Sequence, residues 1–416
     1  MANRIYSKKG FTPEQLAEPE FVAMIIETYR ILTLPLHQSI NNNLSDSYIK
    51  HEISPELTAS LEQNAFMFSG FKIFHQANEI ASKLKGDDGG FKPYSKFQQE
   101  VIKIDETYNK HYLRAEYNFA TQSTLSAIKW KNFEADGDRY DLQYRTAADE
   151  RVRDEHAALH NTTLPSSDPF WNSYFPPNGW NCRCVAVQVR KGKYPQSNSA
   201  DAIAAGEKAT TKIGKNGINK AAIFRFNPGK EMKLMPPKHP YLPKGCGNCT
   251  YKGSINLVFD NEKAICKACR MIDATSVKWS RDRVREHFQK QLKEKSEVWE
   301  INNGGVDKLT VSYQDIKTVT GKPHKYPYAR NMSVYYLKPI FKKQATYLGN
   351  SPDFKGNAVK GHTDNTIWHY YEIPFMGKKS YLEIKTVNGV SYIHNIHDDE
   401  HFNLDKIKNK VNNPPV

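Results

Sequence analysis

The sequence predicts a multidomain α+β protein: a mainly helical N-terminal half, a small four-cysteine module, and a small C-terminal α+β domain with an antiparallel sheet. Three observations lead there. Apolar residues recur at helical spacing through roughly the first 130 residues. Two Cys-x-x-Cys pairs follow in the middle of the chain. The remainder switches to short β-rich runs separated by turn residues. At 416 residues the chain is too long for one ordinary core.

The helical elements carry their own start and stop signals. Thr12-Pro13-Glu14-Gln15 reads as a capping box with proline in the first turn. The helix it opens would bury Leu16, Phe21, Met24, Ile25, Tyr29 and Leu32. Ser54-Pro55-Glu56 opens a second helix, whose apolar stripe runs from Leu61 to Leu84 and stops at the glycine-rich turn 86–90. A third pattern starts near Phe97 and continues through Tyr108 and Tyr112 to Trp130.

Residues 144–184, YRTAADERVRDEHAALHNTTLPSSDPFWNSYFPPNGWNCRC, concentrate rare residue types. Glu150–Leu159 has helical spacing, with Val152, His156 and Leu159 on one face. Arg145, Arg151 and Arg153 stand among Asp149, Asp154 and Glu155, so charges can pair within a turn or two. Phe170, Trp171, Tyr174, Phe175 and Trp180 offer a large aromatic mass to bury. The favoured reading is a loop-rich helical platform with structural ion pairs, and the alternative is a catalytic centre around His156. Cys182 and Cys184 are poorly spaced to bridge to each other. With His156 they make three ligands of a possible metal site, although a buried thiol pair is the reading preferred here.

This stretch, with the DPFW run at 168–171 and PPNGWNCRC at 176–184, strongly resembles the signature of the phage Mu F-like minor head proteins. The resemblance covers roughly residues 50–190, with its specific motifs at 140–184. It implies a portal-associated head-morphogenesis protein of a phage or prophage. Its partners would be the portal protein or a capsid scaffold. It would be found in the bacterial cytoplasm during assembly and afterwards inside the capsid.

Residues 191–243 read as an extended, proline-rich linker with a short helix near 200–209. Cys246-Gly-Asn-Cys249 and Cys266-Lys-Ala-Cys269 then stand sixteen residues apart, with SINLVF at 254–259 able to supply a strand between them. Two such knuckles around a hairpin are the layout of a zinc ribbon over 244–272, with four thiolates closing a structural zinc shell. A charged helical spacer over 273–303 carries Val284, Phe288 and Leu292 and ends at Asn302-Asn-Gly-Gly305.

In 304–416 the strand candidates are KLTVSY, MSVYYL, IWHYYEI, SYLEIKTV and VSYIHNI, with one helix around 336–348. Asn388-Gly389 marks a hairpin. Six of the fourteen histidines fall here, and Lys plus Arg outnumber Asp plus Glu by 16 to 10 in 307–416. Cleaving RNA through its own 2′-hydroxyl needs a base, an acid and a cation, which histidines and lysines supply. The candidates are His324 in a loop, His369 on a strand, and Lys385 and His394 on the Asn-Gly hairpin, where Lys385 would pair with Tyr392 and His394 would lie diagonal to it on the same face. His397 and His401 read as a solvated turn. The domain resembles the nuclease-like tails fused to Mu F-like proteins, grouped with the barnase, EndoU, colicin and RelE-like ribonucleases. That resemblance implies a metal-independent endoribonuclease, with RNA as substrate and an immunity protein as partner.

The formal charge of +14 favours a polyanionic neighbour such as packaged DNA or RNA. No apolar run approaches a membrane span, and the first residues lack the apolar core of a signal peptide. The cysteines are therefore expected as thiols or metal ligands. Two other functions fit the same sequence. One is a purely structural capsid-assembly protein whose C-terminal domain binds nucleic acid. The other is a polymorphic toxin that uses the Mu F-like region for delivery.

Overall fold

The structure, a computed structural model, describes residues 1–41, 53–243, 262–292, 295–352, 366–400 and 402. It is mixed α and β and about half helical, with its larger sheet in the C-terminal part. The chain forms two compact units, Met1–Asp273 and Ala274–Val416.

The first unit opens with α1 (Ala2–Ser7), α2 (Pro19–Asn41), α3 (Pro55–Ser82), α4 (Tyr94–Glu106) and α5 (Leu113–Ala135). The Thr12/Gln15 capping box is present, but it starts a 3₁₀ turn, Pro13–Ala17, and α2 begins separately at Pro19. Ser54 caps α3 by accepting from the Leu57 N–H. α3 is buried on most of its faces, as a central helix must be, and it buries Glu62, Asn64, Lys72, His75 and Gln76 along with its apolar residues. A π turn, Thr107–Tyr112, joins α4 to α5 almost without a break.

Lys72 on α3 and Glu116 on α5 are both buried and bonded to each other, and Lys72 Nζ also donates to the Tyr108 carbonyl at 2.8 Å. Burial lowers the lysine pKa and raises that of the glutamate, each opposed by the partner's charge. Residues 224–243 close over these helices. Asn64 accepts from Met235 N–H at 2.6 Å, His75 Nε2 lies 3.1 Å from the Tyr241 carbonyl, and Leu234, Met235 and Leu242 are fully buried. The end of the stretch expected as a linker, 224–243, is therefore part of the core, and the helix α8 (Ser199–Ala209) lies where it was predicted.

The segment between α5 and α8 holds β1 (Tyr140–Arg145), α6 (Asp154–Ala157), β2 (Thr163–Pro165), α7 (Phe170–Tyr174) and β3 (Val185–Arg190). The strands form an antiparallel sheet in the order β2-β1-β3. The reading of this region as a loop-rich helical platform does not include this sheet. The helix predicted over 150–159 shrinks to α6, because Asp149 and Val152 close a turn before it. A further short helix, α9 (Pro228–Glu231), packs on α5, where a Cβ on Gly229 would collide with the Trp130 side chain.

α10 (Glu262–Leu292) is a single helix that begins well before the predicted spacer. Cys266 and Cys269 lie one turn apart on it rather than on a hairpin, whereas Cys246, Cys249 and the 254–259 run lie outside the described residues.

The second unit contains β4 (Glu297–Glu300), β5 (Lys308–Val311), α11 (Tyr313–Val319), α12 (Pro327–Tyr335), α13 (Leu337–Lys343), β6 (Thr346–Pro352), β7 (Thr366–Phe375), β8 (Lys378–Val387) and β9 (Val390–Asp398). Its six-stranded sheet runs β4-β5-β9-β8-β7-β6, antiparallel except for β5 beside β9. MSVYYL, expected as a strand, is the end of α12 and the start of α13, because Pro327 at the first helical position nucleates a helix there. Asn388 and Gly389 both take positive φ, as a type I′ hairpin requires. The compact unit extends beyond residues 304–416, back to Ala274. β4 pairs with β5, and Asn331 on α12 donates to Val277 O and Ser280 Oγ on α10.

Lys72→Met should lower the unfolding free energy by about 3–5 kcal/mol, because it strands a buried carboxylate. Lys72→Met/Glu116→Leu should recover part of that loss. Urea denaturation of both variants and the parent measures this, and a single variant as stable as the parent would refute the pairing.

Candidate functional site

The Mu F-like signature folds around one aromatic core and one polar centre. Trp130, Phe170, Trp171, Tyr174 and Phe175 are buried together with Tyr144, Leu159 and Leu164. The rings meet edge to face, Phe170 on Trp171 at 4.8 Å and Trp130 on Phe175 at 5.0 Å, which their quadrupoles favour. Trp180 is only half-buried. It lies edge-on to Phe119, Phe224 and His239, so it is not part of this core.

The polar centre is built by two segments. α6 carries His156, and the turn before β3 carries Cys182 and Cys184. Asn181 adopts φ 56°, a left-handed conformation that asparagine tolerates, and its side chain accepts from Asn118 on α5. His156 Nδ1 lies 3.7 Å from Cys182 Sγ and 3.6 Å from Cys184 Sγ. All three side chains are buried. A hydrogen bond from Cys184, together with His156, pulls the Cys182 thiol well below its ordinary pKa against the effect of burial. Cys184 moves the other way, through that same bond and through burial. Tyr144, whose hydroxyl donates to Asn178 Oδ1 at 3.1 Å, is raised by burial first and by the nearby sulfurs second.

A cavity of about 340 Å³ is lined by these three residues and by Arg151, Arg153 and Arg183. Arg183 makes a two-pronged bond to Asp149 at 2.5 and 2.6 Å, and Arg153 donates to the Trp180 carbonyl at 2.7 Å. Arg183 was not singled out from the sequence, because a residue 34 positions away gives no local sign of pairing with Asp149.

The residues predicted for RNA cleavage do not converge as a set. The Lys385–Tyr392 pairing is present, and Lys385 sits 5.7 Å above the Trp368 ring, with His394 edge-on to that ring at 4.8 Å. His369 pairs with Ile384, the neighbour of Lys385, so it faces the opposite side of the sheet. Burial lowers its pKa, and the Tyr347 hydroxyl lies 3.4 Å away. The His324 side chain is buried: Nδ1 accepts from Tyr326 N–H at 3.0 Å, and Nε2 faces Ser380 Oγ at 3.5 Å. Ser380 is four residues along β8 from Ile384, so His324 and His369 are separated by about 13 Å of strand.

A different group surrounds His394. Glu383 Oε2 lies 3.8 Å from His394 Nε2 and 3.2 Å from His397 Nε2, and Lys322 Nζ donates to the His394 carbonyl at 3.2 Å. His397 belongs to β9, not to a solvated turn. A bulge between Glu383 and Ile384 shifts the register, leaves His394 unpaired and brings both imidazoles to one carboxylate. Burial lowers the His394 pKa, Glu383 raises it, and Lys322 and Lys385 lower it further.

Residues 89–187 match the family model described as Phage Mu protein F like protein, so the chain carries a Phage Mu F-like domain. A stretch of 69 residues is 42% identical to "Putative capsid assembly protein F" of Escherichia phage Mu, covering 16% of each chain. Another of 63 residues is 38% identical to the Mu-like prophage FluMu F protein of Haemophilus influenzae, covering 14% of this chain and 15% of that protein. The chain thus spans under a fifth of the length of these curated relatives. No solved structure matches it.

Trp171→Ala should cost about 3–5 kcal/mol, and Trp180→Ala clearly less, because only the first empties a closed core. Chemical denaturation with tryptophan-independent detection checks this, and equal losses would overturn the assignment.

Proposed function

We propose that this chain is a phage or prophage head-morphogenesis protein that works with portal or capsid components while a head is assembled. The Phage Mu F-like match over residues 89–187 carries this reading, and a relative named for capsid assembly supports it. The protein would act in the bacterial cytoplasm and remain inside the virion. In a prophage that encodes it, an in-frame deletion within 89–187 should stop formation of DNA-filled heads, and unchanged particle yield would overturn the reading.

The finer reading is that the second unit cleaves RNA without a metal. Its support is the group around His394, in which two imidazoles, one carboxylate and Lys385 share one face of the sheet with Trp368. Glu383 or His397 would take the proton from a ribose 2′-hydroxyl as its oxygen bonds to the adjacent phosphorus. His394 would protonate the departing 5′ oxygen as the P–O5′ bond breaks. Lys385 would hold the phosphorane charge, and Trp368 would stack a base. His324 and His369, the other candidates, would then support the fold. A structural zinc on Cys246, Cys249, Cys266 and Cys269 completes the reading, supported by the paired Cys-x-x-Cys spacing.

The full chain, incubated with single-stranded RNA in EDTA, should cleave it. His394→Ala should slow cleavage by on the order of 10²–10⁴ while RNA binding persists. No cleavage by the parent, with nucleic acid still bound, would replace the nuclease with a purely structural, nucleic-acid-binding tail.

A further inference from the structure

The three ligand atoms of His156, Cys182 and Cys184 come from segments more than twenty residues apart, yet lie within 4.8 Å of one another. One imidazole nitrogen, Nδ1, faces both sulfurs at nearly equal distance. An ion explains the geometry. Tetrahedral zinc, at about 2.3 Å from sulfur and 2.0–2.1 Å from nitrogen, sets the N···S edge at about 3.5–3.6 Å. The observed edges are 3.6 and 3.7 Å.

We propose that His156 Nδ1 and the thiolates of Cys182 and Cys184 bind one Zn²⁺ ion, with the fourth position open to the cavity and held by water. Two thiolates neutralise the ion, and the set of soft sulfur with imidazole selects zinc over magnesium or calcium. Three protein ligands with a cavity on the fourth side make an open site rather than a closed structural one. Two of the three arginines that line the cavity are already bonded elsewhere, Arg183 to Asp149 and Arg153 to the Trp180 carbonyl. This site is independent of the four cysteines at 246–269 and of any nuclease activity.

The test uses the full chain with Cys246, Cys249, Cys266 and Cys269 all changed to serine, so that the remaining thiols belong to the proposed site. Titrated with Co²⁺, it should bind about one equivalent, with thiolate charge-transfer absorption and the intense d–d bands of a four-coordinate ion. A further Cys182→Ser or Cys184→Ser should weaken binding by more than the roughly 10–100-fold that loss of an outer partner costs. A second measurement needs no substitution. In the unaltered protein loaded with zinc, alkylation of Cys182 and Cys184, read by peptide mass, should rise when a chelator is added. Absence of the cobalt bands from a folded variant would overturn the proposal. So would alkylation indifferent to chelator, or a Cys182–Cys184 disulfide in that peptide.

Discussion

A lysine and a glutamate buried away from water hold the first unit in register. Lys72 binds Glu116 and, at the same time, the Tyr108 carbonyl in the π turn, so α3 meets the α4–α5 helix in one alignment only. A one-turn slip would leave two charges and a carbonyl without partners in a dry interior, at a cost of several kcal/mol per ion. The pair therefore specifies more than it stabilises. Its alignment sets where Phe119 and Trp130 fall along α5. Those two rings meet Trp180 and Phe175, respectively, of the Mu F-like signature.

Local chemistry was legible in the sequence, and partners distant in the chain were not. The Ser54 cap, the glycine-rich stop after α3, the α8 helix and the Asn388-Gly389 turn all stand where their residues indicated. MSVYYL misled because a short apolar, aromatic run suits a strand or a buried helix equally, and the proline five residues before it decided the matter. β6 was invisible, since it contains Gly349, Asn350 and Pro352 and owes its state to pairing with β7. The aromatic core of the signature was readable as mass to be buried, but the sheet behind it was not.

The candidate sites divide the same way. Lys385 and His394 could be placed on one face by counting from the hairpin turn, because register follows from turn type. Glu383 and His397 could not, because a bulge brings them together. Alternation along β7 puts His369 beyond reach of that group. Sequence distance likewise hid how closely His156 approaches both cysteines, although all three lie in the most distinctive motif of the chain.

The segment 224–243 has a consequence for synthesis. Its contacts reach back across as many as 171 residues, as in Met235 to Asn64, whereas the bonds around His156 and Tyr144 span only 26 to 34 positions. On the ribosome the signature can form its core early, while α3 and α5 still expose the surface that Leu234, Met235 and Leu242 later cover. For that interval the nascent chain exposes apolar surface, which a chaperone holds or a neighbouring nascent chain aggregates with. That surface is covered only when residues 224–243 leave the exit tunnel, so the order of translation is also the order in which the protein becomes safe from its own hydrophobic surface.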